Sequence, residues 1–218
     1  MSAAASLDEQ VVAAEREWLA GWIAGPVEPE GTGLVRGAPA PALDLLDHTG
    51  ANRKLSEFWA DGPALVMFWR HFGCGCGIAR AQLLVTELKA YRAAGLTPVI
   101  IAQGEPARAA AYRERYAVPC PILSDPDHVA YRAFGLGQWT PERILADAPA
   151  EFWAHPAEIG VAFQEGRRNE GRPLVDDPWR QTMEFVVGAD GRVRLTYAAQ
   201  HCDDLPRTSV LTAAARLS

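Results

Sequence analysis

The stretch PALVMFWRHFGCGCGIAR, residues 63–80, decides the fold, because it joins an apolar run to a glycine-rich loop and then to a helix. Residues 63–69 are continuously apolar, which is typical of a strand that is covered on both faces. Apolar residues then recur at helical spacing over residues 78–94. Cys74 and Cys76 lie between these two elements and are two of the four cysteines in the chain. A pair of thiols is therefore expected at the end of a buried strand.

Strands and helices alternate in the part of the chain that follows. The pattern predicts strands at residues 97–102 and 120–123, a helix between them at residues 106–117, and another helix after them. This rhythm predicts an α/β fold with a parallel sheet and helices on its faces. Residues 182–198 form two alternating runs around a Gly-Ala-Asp-Gly turn, which predicts a β-hairpin, and a last helix spans about residues 206–217.

Two segments lie outside this rhythm. Residues 8–24 have the spacing of an amphipathic helix that packs on the main body, and its apolar positions are Val11, Val12, Leu19, Trp22 and Ile23. Residues 137–180 are rich in Pro, Gly and Trp and are predicted to be an insertion with partial helix around residues 141–146. The tryptophans of this insertion, Trp139, Trp153 and Trp179, are expected in core packing, with a substrate groove as the alternative.

The length of 218 residues suits one core, so we predict an N-terminal helix and linker over residues 1–36 and one main domain over residues 37–218. The formal net charge of −6 argues against nucleic acid and anionic membranes as partners. Residues 1–9 lack the basic start and apolar block of a secretion signal. We therefore predict a cytoplasmic protein, in which paired cysteines more often perform redox chemistry or bind a metal than form a disulfide framework.

Cys74 has the sequence context of a reactive thiol. At the start of a helix, free backbone N–H groups and the positive end of the helix dipole favour a thiolate over a thiol. Arg70, His71 and Arg80 add positive charge nearby in the sequence, and the glycines around the cysteines leave room for an approaching peroxide or disulfide. The pattern predicts Cys74 as a nucleophile.

Cys76 is a candidate for the second thiol, which would close a disulfide with oxidised Cys74 and protect it from overoxidation. Residues two apart on a helix do not face each other, so this bridge needs a non-helical turn. If Cys76 lies in the first helical turn instead, its partner must come from elsewhere, and Cys202 is the candidate. Simple packing is the alternative interpretation of Cys202, and Cys120 is predicted to be a buried packing residue.

Three segments together resemble a known family. They read FWRHFGC at residues 68–74, VPCPILSDPDHVAYRAFGL at residues 118–136 and EFVVGADGRVRLTYAAQHCDD at residues 184–204. In this order they resemble the peroxiredoxin-like, AhpC/TSA-type redoxin branch of the thioredoxin superfamily, over about residues 37–217. The resemblance implies a thioredoxin-like fold, with a central mixed sheet and helices on both faces. The N-terminal helix and the insertion before the C-terminal hairpin are additions to it.

The resemblance also implies a thiol-dependent antioxidant oxidoreductase, in which Cys74 reduces peroxide or disulfide substrates by thiol exchange without a cofactor. Cys76 or Cys202 would be the resolving thiol. An external dithiol, such as a thioredoxin-type protein, would be the reductant, and a homodimer is compatible with the family.

Two residues before Cys74 depart from the family pattern. Typical members have Pro and Thr seven and three residues before the reactive cysteine, where this chain has Met67 and His71. The absent Thr would have helped to polarise the peroxide bond. His71, Arg70 or Arg180 could replace it, and a surface ion pair is the alternative interpretation of each arginine.

A metal-binding module is the alternative function. Cys74 and Cys76, with His71 or with His201 and Cys202, offer sulfur and imidazole ligands for copper(I) or zinc. The spacing of the cysteines matches usual zinc sites poorly, so we predict no metal site. A scaffold without redox activity is a third interpretation, against which the intact cysteine loop argues.

Overall fold

The computed structural model describes residues 7–217 and has a seven-stranded sheet at its centre. The strands are β1 (Asp44–Asp47), β2 (Asn52–Lys54), β3 (Ala64–Phe68), β4 (Thr97–Ala102), β5 (Ile122–Ser124), β6 (Met183–Val187) and β7 (Val193–Ala198). Their order across the sheet is β2-β1-β5-β4-β3-β6-β7. Only the central strands β3, β4 and β5 pair in parallel, and the other pairs are antiparallel. The predicted mixed sheet is confirmed.

The helices cover both faces of this sheet. They are α1 (Leu7–Ala24), α2 (Gly75–Ala93), α3 (Pro106–Arg115), α4 (Val129–Ala133), α5 (Pro141–Ile144), α6 (Ala150–Trp153), α7 (Pro156–Asn169) and α8 (Thr208–Ala214), with a 3-10 helix at Leu55–Trp59. Between residues 7 and 217, no helix is both long enough and apolar enough to cross a bilayer. The expectation about a secretion signal concerns residues 1–9. Of these, residues 1–6 lie outside the described residues.

Strand β3 is buried along its whole length, as its apolar run predicts. Because successive side chains of a strand point to opposite faces, its residues divide between two clusters. Leu65 and Met67 pack with residues of α2, α3 and α8, whereas Ala64, Val66 and Phe68 pack with residues of the 3-10 helix and α4. The loop after β3 therefore begins from a strand that is fixed on both sides.

A third apolar cluster joins α1 to the insertion. Trp22 of α1 stacks on Trp179 with ring centroids 4.8 Å apart, and Trp18 stacks on Trp22 at 5.5 Å. Trp179 and Trp139 are both buried, which confirms the core-packing interpretation of these two residues. The insertion is more helical than predicted, since α6 and α7 follow the short helix α5.

The apolar face predicted for α1 is partly wrong. Val12 and Ile23 are 44% and 46% exposed, whereas Glu15, Trp18 and Trp22 are buried. The buried face is set by α7, because the Glu15 carboxylate accepts a hydrogen bond of 2.6 Å from Arg168. The ion pair with Arg168 allows a charged residue to occupy this position.

Candidate active site

Cys74 lies at the junction of the β3 loop and α2. It is the N-cap residue, with an extended backbone at φ −74° and ψ 136°. A residue in this position places its side chain over the free N–H groups of the first helical turn. The Cys74 side chain makes no capping hydrogen bond, but the backbone N–H groups of Cys76 and Gly77 contribute to lowering its pKa. Cys74 and Cys76 are both partly exposed, and both line a cavity at the surface.

The Cys74 sulfur has two close side-chain partners. The Cys76 sulfur lies 2.6 Å away, and Nη1 of Arg70 donates a hydrogen bond of 3.3 Å. The Cys76 thiol, the Arg70 charge and the backbone N–H groups of Cys76 and Gly77 lower the pKa of Cys74 to about 5, against the opposing effect of burial. Cys74 is thus a thiolate at neutral pH, with Arg70 as its counterion.

Arg70 is 5% exposed, so its interpretation as part of a surface ion pair is wrong. Its Nη2 donates to the carbonyl of Pro178, and the side chain of Gln103 donates to the Arg70 carbonyl. Pro178 belongs to the end of the insertion, and Gln103 follows β4. The end of the insertion therefore holds the guanidinium beside the sulfur, and Gln103 holds the backbone of Arg70.

Arg180 is 2% exposed, so a surface ion pair is wrong for this residue too. Its guanidinium contacts the carboxylates of Glu28 at 2.6 Å and Asp177 at 2.8 Å, and Nδ1 of His128 at 3.1 Å. Nε2 of His128 in turn lies 2.7 Å from Oε1 of Gln103. Arg180 is thus connected to Arg70 through His128 and Gln103, a buried network that no local sequence pattern predicts.

His71 and Arg80 do not place a positive charge in contact with the Cys74 sulfur, although both are near it in the sequence. Burial, and then the charge of Arg70, lowers the pKa of His71 well below its ordinary value, so its imidazole is neutral at pH 7. Nδ1 of His71 is buried without a hydrogen-bond partner. Arg80 pairs with Glu184 at 2.6 Å and with Glu87 at 2.8 Å. Among the predicted cations, only Arg70 contacts the Cys74 sulfur within the described residues.

The Met67 position, where typical family members have Pro, lies inside β3 and is fully buried. The other departure, His71, contributes its backbone carbonyl, which accepts a bond of 3.1 Å from the Cys74 N–H. This contact helps to shape the loop. The hydrogen bond to sulfur comes instead from Arg70.

Cys76 lies in the first turn of α2, and its sulfur nevertheless meets that of Cys74. The expectation that this position forces a partner from elsewhere is therefore wrong. The reason is that Cys74 is the extended N-cap residue and does not follow the helical spacing. Hydrogen bonding with Cys202, and then with Cys74, raises the pKa of Cys76 well above its ordinary value. Cys76 remains a protonated thiol that can donate to Cys74.

Cys202 lies on the other side of Cys76, in the turn after β7. Its thiol donates a bond of 3.0 Å to the carbonyl of Ile144 in the insertion. A hydrogen bond from Cys76 lowers the pKa of Cys202, so the three sulfurs form one interacting group. Cys120 is 3% exposed, and burial raises its pKa to about 12, as expected for a packing residue.

The cysteines open into a cavity of about 220 Å³. Its apolar walls come from α1 and from the insertion, and local sequence patterns did not predict them. The wall residues are Trp18, Trp22, Ile144, Leu145, Phe163 and Leu174. The Trp18–Trp22 spacing on α1 was an available signal, since residues four apart share a helix face. Arg167 also lines the cavity and pairs with Glu170 at 3.2 Å.

No metal centre is evident in the arrangement of side chains. Among residues 7–217, no group of three or more His, Cys, Asp or Glu side chains is placed so that it could hold a metal ion. The predicted ligands His71 and His201 do not converge on the three sulfurs as a ligand set there.

The family model described as the AhpC/TSA family matches residues 36–161. The Thioredoxin-like protein AAED1, chloroplastic, of Arabidopsis thaliana is 33% identical over 169 residues, which cover 72% of this chain and 68% of that protein. The structure of peroxidoxin BcpB from Mycobacterium tuberculosis superposes with a TM-score of 0.60 at 18% identity, covering 83% of this chain and 96% of that one. A thiol peroxidase from Chromobacterium violaceum gives a TM-score of 0.56 at 14% identity, covering 85% and 89% of the two chains. The predicted thioredoxin-like fold is confirmed.

Proposed function

The chain belongs to the AhpC/TSA family, and from that premise we propose that it is a thiol-dependent oxidoreductase that reduces a peroxide or disulfide substrate through Cys74. The observation that carries this proposal is the Cys74 sulfur itself, which lies 3.3 Å from the buried Arg70 guanidinium and 2.6 Å from a second thiol. A thiolate is the nucleophilic form of cysteine. An accessible thiolate next to a protonated thiol is the pair that such a reaction needs.

With a peroxide, the Cys74 thiolate attacks one oxygen of the O–O bond. A sulfur–oxygen bond forms, the O–O bond breaks, and the leaving alkoxide or hydroxide takes a proton from solvent, which leaves Cys74 as a sulfenic acid. Arg70 stands beside the sulfur in place of the hydrogen-bond donor that the family pattern would supply, and its charge stabilises the developing oxyanion. His71, which is neutral, contributes less to this stabilisation.

Cys76 then resolves the sulfenic acid. Its sulfur attacks the Cys74 sulfur, a disulfide forms, and the sulfenic oxygen leaves as water with the thiol proton of Cys76. With a disulfide substrate, Cys74 attacks one of its sulfurs, forms a mixed disulfide and releases the other half of the substrate as a thiol. Cys76 then attacks the Cys74 sulfur, which forms the Cys74–Cys76 disulfide and releases the second half as a thiol. In both versions two electrons from the cysteine pair reduce the substrate.

An external dithiol completes the cycle by reducing the protein disulfide. Cys74 and Cys76 are partly exposed and lie on either side of the exposed Gly75, so a partner's thiol can approach the bridge. A thioredoxin-type protein has the appropriate chemistry, since it exchanges thiols through a similarly exposed pair. The reaction needs no bound cofactor.

The test is a comparison of Cys74→Ala with Cys120→Ala. We expect Cys74→Ala to abolish reduction of hydrogen peroxide, organic hydroperoxides and a small disulfide in the presence of a dithiol, because the nucleophile is lost. Cys120→Ala, which removes a buried thiol outside the site, should keep the activity. Turnover by Cys74→Ala at the rate of the unmodified protein would refute the proposal.

A further inference from the structure

Cys202 has no assigned part in the two-cysteine cycle, yet its thiol faces the same cavity as Cys74 and Cys76. The Cys76 sulfur lies 2.6 Å from the Cys74 sulfur, and Cys202 shares the lining of the cavity with both residues. Cys76 and Cys202 also line a second, smaller cavity behind the active-site loop. A sulfur that can reach one partner on each side has the geometry of the central atom in a thiol–disulfide exchange.

We propose that Cys202 is a third redox-active residue, which attacks the Cys74–Cys76 disulfide at the Cys76 sulfur and so converts it into a Cys76–Cys202 disulfide. This inference rests on the proposed function, because it begins from the disulfide that the cycle produces. The disulfide is thereby transferred to Cys76 and Cys202, and Cys74 returns to its reduced form.

The exchange balances within the three residues. The Cys202 thiol gives its proton to solvent in the cavity, and its sulfur forms a bond with Cys76. The Cys74–Cys76 bond breaks, and Cys74 leaves with the electron pair as a thiolate. No further oxidant or reductant is required, since one disulfide and one thiol stand on each side of the reaction.

Cys74 is the preferred leaving group of this exchange. A thiol of low pKa leaves fastest, and Arg70 and the backbone N–H groups of Cys76 and Gly77 hold the Cys74 thiolate. These groups stay in place when Cys76 is oxidised, because none of them is the Cys76 thiol. The part of the thiolate stabilisation that comes from Arg70 and these N–H groups therefore also favours the release of Cys74.

The backbone around Cys202 is held by several hydrogen bonds, whereas its thiol makes one. The Cys202 N–H donates to the Arg143 carbonyl at 3.2 Å, and Asp204 anchors the same turn through Tyr197 at 2.5 Å. The thiol is held by a single bond to the carbonyl of Ile144. Only this one hydrogen bond has to break for the sulfur to react, while the contacts of the N–H and of Asp204 hold the backbone of the turn.

The backbone at the start of α2 is compatible with both disulfides. A Cys74–Cys76 bridge links residues two apart, which can meet only while Cys74 stays outside the helical spacing. A Cys76–Cys202 bridge joins the first turn of α2 to a separate turn and leaves Cys74 free as the N-cap residue. The exchange thus restores the reactive thiolate before the external reductant arrives.

The experiment maps disulfides in the full-length protein after oxidation with one equivalent of diamide, an oxidant that forms disulfides without a peroxidase step. Samples are quenched in acid over time, alkylated and digested with trypsin, which places Cys74 and Cys76 in residues 71–80 and Cys202 in residues 195–207. Fragment ions show which cysteine of the first peptide carries the alkyl group. Cys120→Ala serves as the matched control, and Cys202→Ala as the variant that lacks the proposed acceptor.

We expect the disulfide within residues 71–80 first, and then a cross-link from Cys76 to Cys202 with Cys74 alkylated as the main final species. Cys202→Ala should stop at the first stage, and Cys120→Ala should follow the unmodified protein. A final disulfide that stays within residues 71–80, or one that joins Cys74 to Cys202, would overturn the proposal. This reading uses the unmodified protein, so it does not depend on the folding of a variant. Failure of the function itself would show as turnover by Cys74→Ala, which the disulfide map does not measure.

Discussion

At the scale of single residues, the proposed reactivity of Cys74 depends on the buried guanidinium of Arg70. This guanidinium donates to the Pro178 carbonyl and to the Cys74 sulfur, and the backbone carbonyl of Arg70 accepts a hydrogen bond from Gln103. A guanidinium with one donor aimed at sulfur stabilises the thiolate and disfavours the thiol. Arg70 is therefore a better candidate than His71 for the role that the family pattern gives to a Thr.

Replacing Arg70 with Met tests this contact. We expect Arg70→Met to raise the pKa of Cys74 by about 1–3 units, because an adjacent positive charge is removed while the apolar volume is kept. The ultraviolet absorbance of the thiolate as a function of pH measures the shift. The exposed Arg132 on α4 provides the control Arg132→Met, and equal titration curves for the two variants would refute the role of Arg70.

Gly73 is a second residue whose identity the site requires. A Cβ atom at this position would collide with the Leu174 side chain and lie 3.2 Å from Nδ1 of His71. Gly73→Ala is expected to destabilise the protein by about 1–3 kcal/mol and to lower turnover, since the neighbours must shift. Gly75→Ala is the matched control, because nothing lies within 4 Å of a Cβ atom there. Urea unfolding and turnover are the measurements, and an Ala at 73 as harmless as one at 75 would contradict the expectation.

At the scale of elements, α1 and α7 contribute to the wall of the cavity. The elements of the chain differ in how well the sequence alone predicts them. Residues 63–69, 97–102 and the hairpin at 182–198 were predictable, because continuous or alternating apolar runs carry their own signal. Helix α7 was not, since Gly160 in its interior resembles a breaker. This glycine is required by packing, because a Cβ atom there would lie 2.6 Å from Leu19 and 2.7 Å from Trp22.

Sequence alone could likewise predict only part of the candidate active site. Cys74, Cys76 and Arg70 are close in sequence, so a strand–loop–helix reading brings them together. The burial of Arg70 and the position of Cys202 depend on tertiary contacts with distant segments, for which local patterns carry no information.

Trp18 tests whether the α1 wall contributes to substrate binding. It lines the cavity, so Trp18→Ala should weaken the binding of a bulky aromatic hydroperoxide by about tenfold, which corresponds to about 1.4 kcal/mol of lost apolar contact. Hydrogen peroxide, which is too small to contact the wall, should keep its KM. Val12→Ala on the exposed face of α1 is the control. The same loss for both substrates would count against a binding role.

At the scale of the whole molecule, a buried ion pair ties the helix that carries the cysteines to the sheet. Arg80 of α2 is 3% exposed and makes two hydrogen bonds to Glu184 of β6, at 2.6 Å and 3.0 Å. Tyr91 and Glu87 of α2 complete the group. Because burial removes water from these charges, each depends on the other for compensation.

Glu184→Gln should therefore lower the free energy of unfolding by about 3–5 kcal/mol, since it leaves the Arg80 charge without its main buried partner. Urea-induced unfolding measures the loss. Glu114→Gln on the exposed surface of α3 is the control and should change stability little. A Glu184 variant as stable as the Glu114 variant would show that the pair does not hold α2 to the sheet.

The central claim is that Cys74 is a thiolate at neutral pH, and the most direct measurement is the rate of its alkylation by iodoacetamide as a function of pH. Mass spectrometry of residues 71–80 resolves the modification of Cys74 from that of Cys76. The predicted rate is constant around pH 7 and falls to half near a pKa of about 5, because the thiolate is protonated below it. A rate that is low at neutral pH and reaches half its maximum near the ordinary thiol pKa of about 8.5 would contradict the claim.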